Sequence, residues 1–208
     1  MFFSLIIKGG PVMIPIILLS IAGLAIILER IWTLWKIRLN IPPFAQQVFL
    51  LLEKRQFQRA LELCETVSHP IADVFKLGIL NRTLKREEIE PMMEREGEEQ
   101  IQYLEQYLGA LIIIIGVEPM LGFLGTIVGL IKAFMAWEQL GSNITVSALA
   151  SGIYQAMITT AAGLIVAIPF YVLYHLIVGK IKEQAQEMTY YGNELIDVLA
   201  RAKEGGVR

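Results

Sequence analysis

The chain has 208 residues, 55% of them hydrophobic, and a formal net charge of −2 at pH 7. A soluble domain seldom holds several apolar runs of membrane-spanning length, so this composition points to an integral membrane protein. Near-neutral charge with scattered basic residues argues against nucleic acid as a partner. One cysteine, Cys64, leaves no intrachain disulfide and no cysteine-built metal cage, and His69 and His175 lie too far apart in sequence to suggest a zinc site. There is no phosphate loop, nucleophile elbow or dinucleotide fingerprint, so neither an enzyme nor a cofactor is expected.

The first apolar run, Val12–Leu28, follows Lys8-Gly9-Gly10-Pro11. A signal peptide carries its positive charge before the apolar core, whereas here Arg30, Lys36 and Arg38 come after it. The run is therefore expected to be a retained helix with its amino terminus outside, and Trp32 and Trp35 suit an interfacial belt at its inner end. From Asn40 to about Gln106 the chain is expected to be water-exposed and helical. Pro42-Pro43 mark a break, Ala60, Leu61, Leu63 and Cys64 recur at helical spacing, and Ser68-His69-Pro70 interrupts the pattern before Ile71–Leu80. His69 reads as a turn residue and Cys64 as a small buried hydrophobe. Lys85 to Glu105 is acidic, either a solvated helix face or a vestibule that concentrates cations. Pro91 suits the first turn of a helix running through Tyr103 and Tyr107 into the membrane.

Two further runs, Gly116–Met135 and Ser147–Gly179, each reach the roughly 20 apolar residues a helix needs to cross a bilayer. Between them, Trp137–Val146, with Gly141, Ser142 and Asn143 and neither Lys nor Arg, is expected to be an outer loop. Small residues recur at three- and four-residue spacing, at Gly122, Gly125, Thr126, Gly129 and Ala133 in one run and at Ala148, Gly152, Ala156, Thr160, Gly163 and Ala167 in the other. Such stripes let membrane helices approach closely. The few polar atoms inside the runs belong to Glu118, Thr126, Lys132, Gln155, Thr159 and Thr160. They need partners in a neighbouring helix or a wet cavity, which makes Thr126, Thr160, Gln155, Thr159 and Glu118 candidates for the wall of an ion path. Glu118 is either a titratable group on the inward part of that path or a carboxylate near the inner interface that reaches water or a basic neighbour. Lys132 can snorkel at the outer end.

The expected fold is all-α, with three transmembrane helices, amino terminus out and carboxyl terminus in, extended into a cytoplasmic helical region. The expected division is 1–36 for the outer end and first crossing, 37–107 for the cytoplasmic helices, 108–136 for the second crossing, 137–147 for the outer loop, 148–179 for the third crossing and 180–208 for an amphipathic inner tail.

The stretches PMLGFLGTIVGLIKAF (Pro119–Phe134) and GIYQAMITTAAGLIVAIP (Gly152–Pro169), with Gly10-Pro11, Met13, Ser20, Glu29-Arg30 and Ala60–Leu80, resemble the MotA/TolQ/ExbB family, and the three-crossing plan resembles its ExbB/TolQ branch. The resemblance implies a subunit of a proton-driven inner-membrane motor: a homo-oligomeric ring, typically a pentamer, around the membrane helices of an ExbD- or TolR-like single-span dimer. That partner carries a membrane aspartate and passes work to a TonB- or TolA-like protein. Thr126 and Thr160 match the threonines lining the family's ring interior. Where the ExbB/TolQ branch usually has a glutamate, this chain has Gln155, whose amide keeps the hydrogen-bonding shape but cannot titrate. A passive ion channel and a structural membrane scaffold are the alternatives.

Overall fold

The computed structural model describes residues 2–141 and 145–204. Among them the regular elements are eight helices: α1 (Phe2–Gly9), α2 (Met13–Lys36), α3 (Ile41–Glu53), α4 (Phe57–Glu65), α5 (Pro70–Leu80), α6 (Arg86–Glu105), α7 (Leu108–Leu140) and α8 (Val146–Glu204). Three helical segments, carried by α2, α7 and α8, are long and apolar enough to cross a membrane. The chain forms an all-α, multi-pass membrane protein. Its residues form two compact units, one of Met1–Glu29 with Tyr107–Leu176 and one of Arg30–Gln106 with Ile177–Arg208.

In the first unit, the short α1 closes at Gly10, whose φ of +72° is open to glycine at little cost. The Gly10 carbonyl then accepts the Met13 amide as α2 begins. Ile16 and Ile27 mark the buried face of α2, while Ile14, Leu18, Ile21 and Leu28 are exposed, as suits a helix with lipid on one side. Gly23 leaves room for the Phe170 ring of α8, where a Cβ would come within 2.5 Å of Cε2. α7 continues through Trp137 to Leu140, so the expected loop at 137–147 is shorter than its sequence suggests. Ser142 and Asn143 lie outside the described residues. Pro119 and Pro169 sit inside α7 and α8, where each removes one backbone donor.

The small-residue stripe is the seam between α7 and α8. A Cβ at Gly129 would stand 2.5 Å from the Gly152 carbonyl oxygen and 2.7 Å from the Ala156 nitrogen. One at Gly152 would meet Ala133 at 2.8 Å. Gly122 faces the Thr159 carbonyl and the Thr160 backbone, Gly125 receives the Thr159 side chain, and Gly163 lies on the Glu118 carbonyl. Ala133, Ala156 and Ala167 are buried, and the Ala148 side chain lies outside the described set. Backbone meets backbone here because no side chain stands between. That is the packing open to helices in lipid, where water cannot drive association.

The second unit has an ordinary hydrophobic core. Ile41, Leu52, Ile71, Phe75, Ile79 and Leu195 are almost fully buried, and the Phe75 ring lies 5.9 Å from Phe44 and 5.8 Å from Phe49. The expected break falls at 37–40, between α2 and α3, and Pro42 and Pro43 occupy the first turn of α3, where missing amide donors cost nothing. Cys64 is buried in this core, and burial pushes its thiol up to about 12, so it stays an inert hydrophobe. The acidic face of α6 is largely solvated and partly paired within the helix, as Arg86 with Glu90 and Arg95 with Glu99. Arg86 also bonds Asp197 of α8. Pro91 lies beyond the first turn of α6.

The helix expected to run unbroken from α6 into the membrane stops at Glu105. Tyr107 adopts a left-handed conformation, φ +66°, before α7 starts. The end of α6 is closed by Arg30, which is 2% exposed and donates from one guanidinium nitrogen to the carbonyls of Tyr103 at 2.9 Å and Leu104 at 3.2 Å. Terminal helix carbonyls have no partner within their own helix, and a cation there also complements the helix dipole. An arginine from a distant part of the sequence therefore ends the helix.

His69 is more than a turn residue. Its Nδ1 accepts the Ile71 amide at 3.1 Å, capping α5 ahead of Pro70, so the ring proton lies on Nε2 and is donated to Gln184 Oε1 at 2.7 Å. Desolvation lowers its pKa, opposed in part by the Gln184 bond, and keeps the ring neutral. The folded state therefore binds fewer protons than the unfolded chain below the ordinary value of about 6.5, so acid weakens the cap. Hydrogen exchange at Ile71 should lose protection as pH falls from about 7 to 5, and His69→Asn, which caps without titrating, should abolish that pH dependence.

At the α7–α8 seam, Gly125→Ala should destabilise the protein by about 1–3 kcal/mol, because Thr159 cannot move without shifting its helix. Gly116→Ala has nothing within 4 Å of the added methyl. It should be neutral or stabilising by up to about 1 kcal/mol. Thermal unfolding of the detergent-solubilised protein compares the two.

Candidate functional site

The candidate ion-path residues belong to the apolar unit. They do not form one cluster but occupy four settings along α7 and α8.

Thr159 is 0% exposed. Its hydroxyl is placed to donate to either of two carbonyls of its own helix, Gln155 or Ala156, each at 3.0 Å, and its methyl and Cβ fill the space beside Gly125. In the single chain it is part of the seam. Helix carbonyls already accept a backbone amide, so this hydroxyl is satisfied without a ligand.

Thr126 and Thr160 lie at the half-exposed margin of the same seam. Thr126 donates to the Phe123 carbonyl one turn back. Thr160 is placed to donate to the Ala156 carbonyl or across to Gly122 on α7, each at 3.2 Å. Thr126 stands four residues after Gly122, so the two threonines are brought to the same side of the α7–α8 pair. Each hydroxyl is satisfied within the chain, and because the carbonyls it serves belong to helices, it can turn its one proton toward a group on its partly open side at modest cost. Such a pair can offer a hydrogen bond to a polar group on another helix without first breaking the fold.

Gln155 is buried. Its amide packs on Gly10, where an added Cβ would lie 2.7 Å from Nε2, and its Oε1 lies 3.5 Å from Lys132 Nζ. Lys132 thus reaches a specific oxygen rather than only the membrane surface. Lys8 lies over the Tyr154 ring at 5.9 Å. An amide fixed between a glycine and a cation orients polar groups, but it cannot carry a proton.

Glu118 is 0% exposed and lies between α2 and α7, with Oε1 3.2 Å from the Ser20 hydroxyl. It does not reach water or a basic side chain in this unit. Ser20, one of the residues that carry the family resemblance, was not expected at the site. The signal was present, since a carboxyl inside an apolar run needs a polar partner and Ser20 is the one serine of the first run. The pairing itself spans 98 positions and depends on how the helices pack.

The family model described as the MotA/TolQ/ExbB proton channel family matches residues 56–190, which include α7 and most of α8. A biopolymer transport protein ExbB homolog of Methanothermobacter thermautotrophicus is 36% identical over 186 residues, covering 87% of this chain and 64% of the relative. An ExbB-like biopolymer transport protein of Synechocystis is 33% identical over 194 residues, covering 90% of this chain and 75% of that protein. The Tol-Pal system protein TolQ of Haemophilus influenzae is 31% identical over 106 residues, 51% of this chain and 46% of that protein. The chain therefore spans somewhat less than two thirds of the archaeal relative's length. With the matched region covering both long apolar helices and their glycine–threonine seam, the chain belongs to the MotA/TolQ/ExbB proton channel family, on its ExbB/TolQ branch.

Proposed function

We propose that this protein is the ring-forming subunit of a proton-driven motor in a bacterial inner membrane, with no enzymatic activity of its own. The observation that carries this reading is the family match across residues 56–190, which takes in the paired small-residue helices. In the proposed assembly, several copies, five by family resemblance, surround the single-span helices of an ExbD- or TolR-like dimer. The amino terminus lies outside and the carboxyl terminus inside, which puts the basic residues Lys36, Arg38, Lys180 and Lys182 on the cytoplasmic side.

The threonine pair gives the motor its contact with the partner. A carboxylate on the partner helix is costly in a low-dielectric ring unless it is hydrogen-bonded. Thr126 and Thr160 supply such donors at the half-exposed seam margin. When the partner's acid gains a proton, that demand disappears and its helix can move on. Gln155 contributes shape and hydrogen bonding but no titration, so the partner's acid carries the transported proton past this level. Movement of the partner would then be passed to a TonB- or TolA-like protein outside.

The threonine hydroxyls donate to carbonyls that already take part in their helices, so Thr126→Val and Thr160→Val should leave assembly intact. Proton flux into vesicles holding the protein and its co-purifying single-span partner should fall by about tenfold or more in each variant, the loss of one charge-assisted hydrogen bond of roughly 1.5–3 kcal/mol. Native mass spectrometry should count several copies around that partner. Undiminished flux in both variants, or a lone subunit in the membrane extract, would exclude the motor.

A further inference from the structure

The Ser20–Glu118 contact contains more information than a single hydrogen bond. Ser20 Oγ lies 2.7 Å from the Ile16 carbonyl of its own helix and 3.2 Å from Glu118 Oε1. A hydroxyl has one proton, so it makes one full-strength bond and not two. The shorter contact is the back-bond to Ile16, a common arrangement for a serine inside a helix. Two oxygens at hydrogen-bond distance still need a proton between them. With the serine proton directed at Ile16, that proton has to come from the carboxyl.

The surroundings favour the same assignment. Glu118 is 0% exposed, and its other oxygen, Oε2, has no hydrogen-bond partner among the described residues. Ser20 is the only group on α2 that bonds the carboxyl. From α8 the element packed against this turn presents Gly163, where a Cβ would stand 2.5 Å from the Glu118 carbonyl oxygen. Among the described residues, no Lys, Arg, His or second carboxylate acts on the group. A carboxylate anion with one oxygen bare and the other sharing a proton already engaged elsewhere would be poorly compensated. A neutral acid is well accommodated: Oε1–H donates to Ser20, Ser20 donates to Ile16, and Oε2 is left as a carbonyl oxygen with a modest demand.

We propose that Glu118 and Ser20 form a proton-binding site buried within one subunit, in which the carboxyl is held neutral and donates to the serine hydroxyl. The site has a built-in second state. Loss of the proton would turn the serine hydroxyl from Ile16, whose carbonyl keeps its backbone amide, toward the carboxylate. The same oxygen set could bind a sodium ion instead, but the unpartnered Oε2 and the few donors favour the proton. The proposal concerns the packing of α2 against α7 and does not rest on motor action.

Difference infrared spectroscopy of the full chain in lipid vesicles tests it. At neutral pH a protonated-carboxyl band should be present, should be lost in Glu118→Gln, and should shift to higher frequency in Ser20→Ala, where the acid loses its acceptor. The glutamine amide can donate to Ser20 in the same place, so that variant should fold. Absence of a band assignable to Glu118, or a Ser20→Ala change confined to the carboxylate bands, would show the group ionised and overturn the assignment. Exchanging potassium for sodium should leave the band unchanged, and its loss on adding sodium would make the site a sodium site and defeat the proposal. The motor reading fails by a different result, undiminished flux in the threonine variants.

Discussion

The close approach of α7 and α8 is the constraint on which the apolar unit depends. Lipid is as greasy as leucine, so two apolar helices gain little by hiding side chains from it. They gain by dispersion and by close backbone contact, and both need the space that glycine leaves. Gly129 against Gly152, Gly122 against the Thr160 backbone and Gly163 against the Glu118 carbonyl supply that space at successive turns. Thr159 shows how tightly the polar atoms are tied to this packing. Its hydroxyl returns to its own helix because the seam admits no other partner. At the margin of the same seam Thr126 and Thr160 stay half-open, Thr160 giving its backbone to the contact with Gly122.

Electrostatics in the two units follows opposite rules. In the apolar unit a charge has almost nothing to answer it, so Gln155 meets a lysine at the limit of hydrogen-bond distance and Glu118 meets a serine. In the other unit, ions face water or reach specific oxygens. Arg30 is buried, yet its guanidinium meets the carbonyls of Tyr103 and Leu104 in the last turn of α6. His69 shows the neutral counterpart, a ring whose two nitrogens both have defined roles. Each of these groups is placed by a helix end, where backbone polarity is unsatisfied.

Several features were readable because their cause is local. Three apolar helices follow from run length, since nothing but a helix satisfies its own backbone in lipid. The small-residue stripe follows from helical periodicity, and the irregular start of α5 from Ser68-His69-Pro70. Other features were misread because local signals compete. Pro91 looked like a first-turn proline and lies deeper in α6, as proline's place in a helix is not fixed by its neighbours alone. Trp137 to Leu140 looked like a loop because polar residues intervene, yet helix hydrogen bonds continue to Leu140. The stop at Glu105 had no strong local signal, because it is set by an arginine 75 residues earlier and by a left-handed tyrosine.

The sequence by itself determined the class of the protein, the number of apolar helices and the small faces through which two of them pack, because each depends on composition or on period along one helix. Tertiary structure decided which polar residue meets which. Ser20 could have faced lipid, and Glu118 could have risen to the interface. Arg30 could have stayed in water, and Thr160 could have bonded only its own turn. The choice rests on distances between helices far apart in the chain, and a pattern of residue types does not encode those distances until the backbones are in contact.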